Sequence, residues 1–94
     1  MQIFHDPQCA DYGSSARPEQ PARTIRTAAH LREAHPEWVW TVAPLADKEV
    51  LLLAHRETHL DRFQLAADFD ADTPYCDGIF DHARRAVGSA IAAA

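Results

Sequence analysis

Two histidines four residues apart are the first candidates for chemistry in this chain. On a helix, His55 and His59 would lie on one face, which is a spacing that suits two zinc ligands. Glu57 stands third in the segment HRETH, however, whereas the metalloprotease motif HExxH needs a glutamate in second place. No third ligand is evident, and paired histidines on a helix need no metal. We therefore expect no metal site at this pair.

A second segment concentrates carboxylates. Asp68, Asp70 and Asp72 alternate along DFDAD, but the segment lacks the glycine and the closing glutamate of a calcium-binding loop. By itself it is typical of a solvated acidic turn. Neither a nucleophile motif nor a catalytic carboxylate pattern stands out elsewhere, so no local motif names a function.

Composition narrows the classes of protein. The 94 residues, with 47% hydrophobic and 24% charged content, fit one small globular domain over residues 1–94. A net charge of −5 with scattered basic residues argues against nucleic acid as a partner. We find no apolar run long enough for a membrane span and no leader-like start, so we expect a cytoplasmic protein that does not bind membranes. Cys9 and Cys76 form no CxxC pair and are expected to be reduced thiols.

Two short apolar runs are typical of strands. Met1–Phe4 is the first, and Trp38–Ala43, rich in aromatic and β-branched residues, is the second. Between them, Pro18–Pro21 favours a helix start, and the helix should end near His35 because Pro36 disfavours helical geometry before it. Strand, helix and strand in this order predict a right-handed crossover with parallel strands. The helix face expected on the sheet consists of Ile25, Ala28, Ala29, Leu31 and Ala34.

Three further helices are expected in the second half of the chain. Asp47 is a candidate cap for a short apolar helix, the next helix covers Glu57–Asp68, and the last begins near Asp77, another candidate cap. In the middle helix, Leu60, Phe63 and Leu65 are expected to turn partly inward. The last helix has the clearest apolar periodicity, formed by Ile79, Ala83, Ala86, Val87, Ala90, Ile91 and Ala94.

The polar stretch 5–18 is too long for a simple connection and is a candidate functional loop. The fold class is therefore α/β, mostly helical by content.

Three segments, in order along the chain, resemble the amino-terminal part of one superfamily. The segment from Asp72 to Ala83 (DTPYCDGIFDHA) resembles the aspartate loop and following helix of histone deacetylases, acetoin-utilisation proteins and acetylpolyamine amidohydrolases. Pro18–Arg23 resembles the first loop and helix entrance, and Leu53–Leu60 resembles a histidine-started helix in which tyrosine is common at the position of His59. The first of these is fairly specific, and the other two are weak alone. The resemblance implies the amino-terminal part of the arginase/deacetylase fold, a parallel α/β sheet flanked by helices.

The resemblance also implies roles for two residues. Asp72 matches a rim aspartate that accepts hydrogen bonds from the backbone of an acyl-lysine substrate. Arg23 matches an arginine that lines an internal channel, where it attracts departing acetate. Read without the family, they are a loop carboxylate and a helix-surface arginine.

The family's zinc chemistry, in contrast, has no counterpart in these residues. Its zinc ligands include an Asp-x-His motif and a further aspartate, and an adjacent histidine pair serves acid–base roles. The chain contains neither Asp-x-His nor adjacent histidines. We therefore expect no catalytic residue, no metal ligand and no cofactor in this chain, although zinc belongs to the intact family. The bulky Arg84 and Arg85, where small residues are usual in the family, put the packing of the last helix against a normal deacetylase core in doubt.

Two functional hypotheses remain from the sequence. The first is a truncated deacetylase-like protein, inactive alone, whose acetylated amine substrate belongs to an intact enzyme. The lack of a stop signal in the last helix, which reaches Ala94 in a run of alanines, agrees with interruption or with a frayed terminus. The second is a stand-alone interaction module that forms a homo-oligomer through an exposed sheet edge and the last helix. A third possibility, completion of the site by another polypeptide, has little support.

Overall fold

The computed structural model describes residues 1–18 and 20–94, and helix dominates their regular structure, as expected. Glu19, part of the predicted helix start, lies outside the described residues. In the described parts the strands are β1 (Gln2–Phe4) and β2 (Val39–Thr41), and the helices are α1 (Pro21–Ala34), α2 (Lys48–Leu51), α3 (Glu57–Asp61) and α4 (Ile79–Ala93). Two short 3₁₀ helices cover Pro7–Asp11 and Arg62–Gln64.

The two strands pair in parallel, which confirms that part of the sequence prediction. Ile3 stands opposite Trp40 in the register. The ladder extends at both ends, since the Val39 amide donates to the Met1 carbonyl and the His5 amide donates to the Thr41 carbonyl, both at 3.0 Å. Helix α1 connects the two parallel strands, as the sequence predicts. The handedness of this crossover stays a prediction. His5, the first residue after β1, is held in place by the sheet.

Helix α1 has the predicted bounds but not the predicted buried face. It begins at Pro21 and ends where the His35 amide donates to the Leu31 carbonyl at 2.9 Å. Ile25, expected to face the sheet, is 56% exposed, and α1 has no buried residue. The inward assignment of Ile25 is wrong because a sheet of two three-residue strands is too small to cover the helix.

The middle helices are shorter than predicted. Helix α3 ends at Asp61, and after a 3₁₀ turn the backbone of Leu65 is extended. Leu60 is buried at 4% exposure, as expected, but Leu65 is 61% exposed, so its inward assignment is wrong. Beyond this turn, the Arg62 guanidinium donates to the Phe69 carbonyl at 3.1 Å and lies over the Phe69 ring.

The predicted aspartate caps of α2 and α4 make no capping hydrogen bonds. Asp47 occupies the N-cap position of α2, as predicted, but its side chain accepts no bond from that helix. Gly78, with a positive φ of 76°, is the residue that precedes α4, so Asp77 is not the cap. The hydroxyl of Tyr75 lies 3.3 Å from the Asp77 carboxylate and donates to it, which engages this group outside the helix. Glycine suits this position because it adopts a left-handed conformation without steric cost.

Helix α4 lies directly against the segment that follows β2. The Ala46 amide donates to the Arg84 carbonyl at 3.1 Å, and Arg84 Nε donates to the Ala46 carbonyl at 2.7 Å. At Gly88 a Cβ atom would collide with the carbonyl oxygen of Pro44 and would lie 3.1 Å from the Ala46 nitrogen. Arg84 therefore fastens the helix to this segment.

The core beside this contact is small. Among the described residues the buried apolar side chains are Ala43, Ala46, Leu51, Leu60 and Ile79. Phe63, Phe80 and Val87 pack around three of them. The end of α4 is uncovered, since Ile91, on its predicted apolar face, is 53% exposed.

The molecule is thin and exposes much surface. Its principal extents are 43 × 32 × 16 Å, and its accessible surface is 6689 Å². A compact monomer of this mass would expose about 5,400 Å². Within the described residues, no helix has the length and apolarity needed to cross a lipid bilayer.

Gly88→Ala tests the close docking of α4. Alanine normally favours a helix over glycine by about 1 kcal/mol. Here we expect the free energy of unfolding to fall by about 1–3 kcal/mol, because the new methyl meets backbone that cannot move away. Urea unfolding followed by circular dichroism measures the change. Ser89→Ala, one residue along, is the control, and a more stable Gly88→Ala protein would contradict the docking described here.

Candidate functional site

A cavity of the described residues lies between the 3₁₀ helix Pro7–Asp11, the end of α3 and α4. This central cavity has a volume of about 590 Å³. One part of its wall is aromatic, formed by Phe4, Phe63 and Phe69. The rings of Phe63 and Phe69 are 4.9 Å apart between centroids. The size and the apolar wall fit a small-molecule or side-chain site.

The polar wall of the central cavity is organised by Arg85. Its Nε donates to Asp6 at 2.8 Å, its Nη2 donates to Gln8 at 2.7 Å and its Nη1 lies 2.9 Å from His82 Nδ1. The side chains of Arg85 and Asp6 are only 11% and 13% exposed. This network joins the amino-terminal loop to α4, and the charge of Arg85 is balanced by Asp6.

The Arg85 contact also fixes the tautomer of His82. A guanidinium has donors and no acceptor, so Nδ1 of His82 must accept the hydrogen bond and carries no proton. The Nε2 atom therefore carries the hydrogen of the neutral ring. His82 lines the central cavity, so the ring that carries this hydrogen is part of the cavity wall.

The three clustered aspartates divide into two that hold their loop and one that does not. Asp68 accepts a hydrogen bond from the Tyr75 amide at 2.8 Å, and Asp70 accepts one from the Asp72 amide at 2.8 Å. Hydrogen bonds from the Asp72 amide and the Thr73 side chain lower the pKa of Asp70. The ionised form thus stabilises the loop above the ordinary pKa, and this contribution is lost as the pH falls through the folded-state value. The Asp72 side chain is exposed and takes no part in these bonds.

Asp72 lies on a separate cleft, here called the Asp72 cleft, of about 490 Å³. Residues from the amino-terminal loop, Tyr12, Ser14 and Arg17 among them, form its other side. Arg17 Nη1 donates to the Ala71 carbonyl at 2.9 Å, which ties the two loops together. The long polar loop of the sequence therefore contributes to the walls of both the central cavity and the Asp72 cleft.

Arg23 lies on a third cleft, here called the Arg23 cleft, of about 340 Å³. It belongs to the first turn of α1, and Trp40 of β2 lines the same cleft. The structure thus does not bring Asp72 and Arg23 into one cleft. Each cleft shares lining residues with the central cavity: Tyr12 on the Asp72 side, and Phe4, His5 and Thr24 on the Arg23 side.

The two histidines with ligand spacing stack on each other. The rings of His55 and His59 are 5.0 Å apart between centroids with an interplanar angle of 28°. The described residues contain no group of three histidine, cysteine, aspartate or glutamate side chains placed to hold a metal ion.

The Arg85 cluster was not identified from the sequence. Asp6 and Arg85 are separated by 79 residues, and no local pattern connects them. The one available signal was Asp6-Pro7, since a short polar side chain before proline often caps a turn; Asp6 does accept from the Gln8 amide at 2.9 Å.

Asp6→Asn tests the contribution of this network to stability. Asparagine can still cap the 3₁₀ helix, but it leaves the guanidinium without its counter-charge. We expect the free energy of unfolding to fall by about 3 kcal/mol, as for other ion pairs removed from solvent. The matched control is Glu57→Gln, which breaks an ion pair of similar length, 3.0 Å, whose side chains are 49% and 68% exposed. Its urea midpoint should hardly move. Equal losses in the two variants would contradict the role given to Arg85.

No protein-family model, no curated protein and no solved structure matches this chain.

Proposed function

We propose that this chain is histone deacetylase-like and forms the substrate entrance of such a site, where it binds an acylated amine without hydrolysing it alone. The proposal rests mainly on three cavities that share lining residues: the Asp72 cleft, the central cavity and the Arg23 cleft. In the proposal Asp72 accepts the backbone amides of an acyl-lysine segment, the acylated side chain enters the central cavity, and Arg23 borders the far cleft. The arginase/deacetylase fold is part of this proposal.

The aspartate loop supports the role of Asp72. Asp68 and Asp70 use their carboxylates to hold the loop, so Asp72 can present an exposed carboxylate from a rigid support. A carboxylate that accepts N–H bonds is suited to binding an extended peptide backbone. Arg17 fastens the facing loop through Ala71, which keeps the opening between the two loops defined.

The central cavity supports an acylated side chain. The methylene chain and the acyl group are neutral and largely apolar, which suits the Phe63 and Phe69 wall. The amide at the end needs hydrogen-bond partners, and His82 offers its Nε2 hydrogen. The compensated charge of Arg85 makes the cavity unsuited to a free ammonium or carboxylate of high charge density.

The chain as described does not supply the hydrolytic step. Its sequence has no Asp-x-His and no adjacent histidines, and its described side chains do not fit a zinc centre. We therefore propose binding without turnover for this chain, in the cytoplasm, where Cys9 and Cys76 remain thiols.

Asp72→Asn tests the proposed entrance. An acetyl-lysine peptide is titrated into the ¹⁵N-labelled full chain, with amide shifts expected around residues 12–18 and 70–76. Loss of the charged acceptor should weaken peptide binding at least about tenfold. Asp47→Asn makes the same charge change at an exposed carboxylate that makes no capping hydrogen bond and should leave the affinity unchanged. Equal affinities for the two variants would exclude the proposed role of Asp72.

A second candidate, self-association, is favoured by the surface of the protein. The exposed area exceeds that of a compact monomer by about 1,300 Å², while a standard interface buries about 800 Å² per partner. Each described strand pairs only with the other, so β1 and β2 each have an open edge. Ile91 leaves the apolar face of α4 exposed beyond the core. A second copy of the chain would cover these edges and this face.

Ile91→Lys tests the second candidate. If the end of α4 lies in a contact between copies, a charge there should shift the protein from dimer to monomer in sedimentation equilibrium. Ile25→Lys, on α1, is a control of nearly equal exposure, 56% against 53%, outside the proposed interface. A wild-type protein that stays monomeric at high concentration would rule out this candidate.

A further inference from the structure

We propose that Cys9 and His5 form a reactive thiol–imidazole pair that adds to aromatic α,β-unsaturated carbonyl compounds bound in the central cavity. Cys9 Sγ lies 3.9 Å from His5 Nδ1, and both side chains line this cavity. The inference does not depend on the deacetylase-like function, because it needs only the cavity and the pair.

Both members of the pair are held by backbone structure. The His5 amide donates to the Thr41 carbonyl at 3.0 Å, and its ring packs edge-on against Trp40 at 5.6 Å between centroids. The Cys9 amide donates to the Asp6 carbonyl at 3.0 Å, within the 3₁₀ helix. The thiol and the imidazole therefore approach each other from two separately fixed elements, which favours a constant geometry.

The neighbouring charged groups leave His5 as the base. The carboxylate of Asp6 is engaged by Arg85 and by the Gln8 amide. The Nδ1 atom of His82 accepts from Arg85 and has no lone pair left for the thiol. His5 Nδ1 lies 3.9 Å from the sulfur, and in the tautomer that carries its hydrogen on Nε2 this nitrogen can accept the thiol proton.

The cavity wall indicates the class of electrophile. The rings of Phe63 and Phe69 favour a planar aromatic group by apolar and ring–ring contact. The Nε2 hydrogen of His82 is available on the same cavity to bond a carbonyl oxygen. The charge of Arg85 is already neutralised by Asp6, so a neutral ligand is favoured over an anion.

The chemical step is a balanced addition. His5 Nδ1 takes the thiol proton, and the sulfur of Cys9 attacks the β-carbon of the electrophile. A C–S bond forms while the π pair of the C=C bond moves to the α-carbon as an enolate. The proton then passes from His5 to the α-carbon, so that thiol and alkene combine and no other reactant is needed.

The second cysteine serves as an internal reference. Cys76 lines the Asp72 cleft and lacks a histidine contact among the described residues. Burial, followed by the negative charge of Asp77, raises the pKa of its thiol. A thiol of this kind has little thiolate at neutral pH and reacts slowly.

The test compares the two thiols with the probes N-phenylmaleimide and N-ethylmaleimide, followed by intact-mass spectrometry. Cys76→Ser leaves Cys9 as the single thiol, and Cys9→Ser leaves Cys76. In the folded chain Cys9 should react with N-phenylmaleimide at least about tenfold faster than Cys76, and His5→Gln should remove about the same factor. Equal rates for the two thiols, or an unchanged Cys9 rate in His5→Gln, would overturn the proposal.

A second measurement does not depend on a His5 variant that folds. The ratio of the phenyl to the ethyl rate at Cys9 is measured for the folded protein and again in urea. A binding cavity predicts a several-fold higher ratio in the folded state, because only there do Phe63 and Phe69 contact the phenyl ring. The same ratio in both states would show that the cavity plays no part.

Discussion

The docking of α4 onto the segment after β2 is the contact on which the rest of the structure depends. The Ala46 amide and carbonyl both bond to Arg84, and Gly88 lets the helix backbone approach Pro44 without a side chain between them. With so few buried side chains, this protein cannot rely on apolar burial alone. The hydrogen bonds between Arg84 and the backbone of Ala46 fix the position of α4 in addition to apolar burial. They thereby position the face of α4 that carries Arg85 and His82.

Arg85, on this helix, connects α4 to the amino-terminal end of the chain. Its bonds to Asp6 and Gln8 hold the amino-terminal loop against α4, and this loop forms walls of the central cavity and of the Asp72 cleft. The candidate site thus lies between distant segments rather than within one motif. The proposed functions share this origin: peptide binding at Asp72 and thiol chemistry at Cys9 both need the loop to be held.

The sequence predicted features that depend on local chemistry. The strands and the bounds of α1 follow from short β-branched runs and from prolines at each end, and the parallel pairing follows from the crossover. Ile25 and Leu65 were wrongly placed inside because apolar character predicts burial only where a partner surface exists. Asp77 was wrongly chosen as a cap because Tyr75, two residues away, engages its carboxylate and Gly78 supplies the backbone conformation.

For the site, the sequence identified single residues but not their arrangement. Asp72 and Arg23 are indicated by a family resemblance. That Asp68 and Asp70 hold their loop while Asp72 stays exposed follows only from the hydrogen bonds in the structure. The Arg85 network joins residues at opposite ends of the chain, and pairing at that distance leaves no periodic signal.

Native-state hydrogen exchange tests the central claim most directly. The amide of Ala46 bonds to α4, and the amide of His5 bonds to the sheet that borders the central cavity. If the docking of α4 defines one cooperative unit, both amides should open with the same free energy. An Ala46 amide that exchanges as fast as an unstructured peptide, while His5 stays protected, would contradict this account.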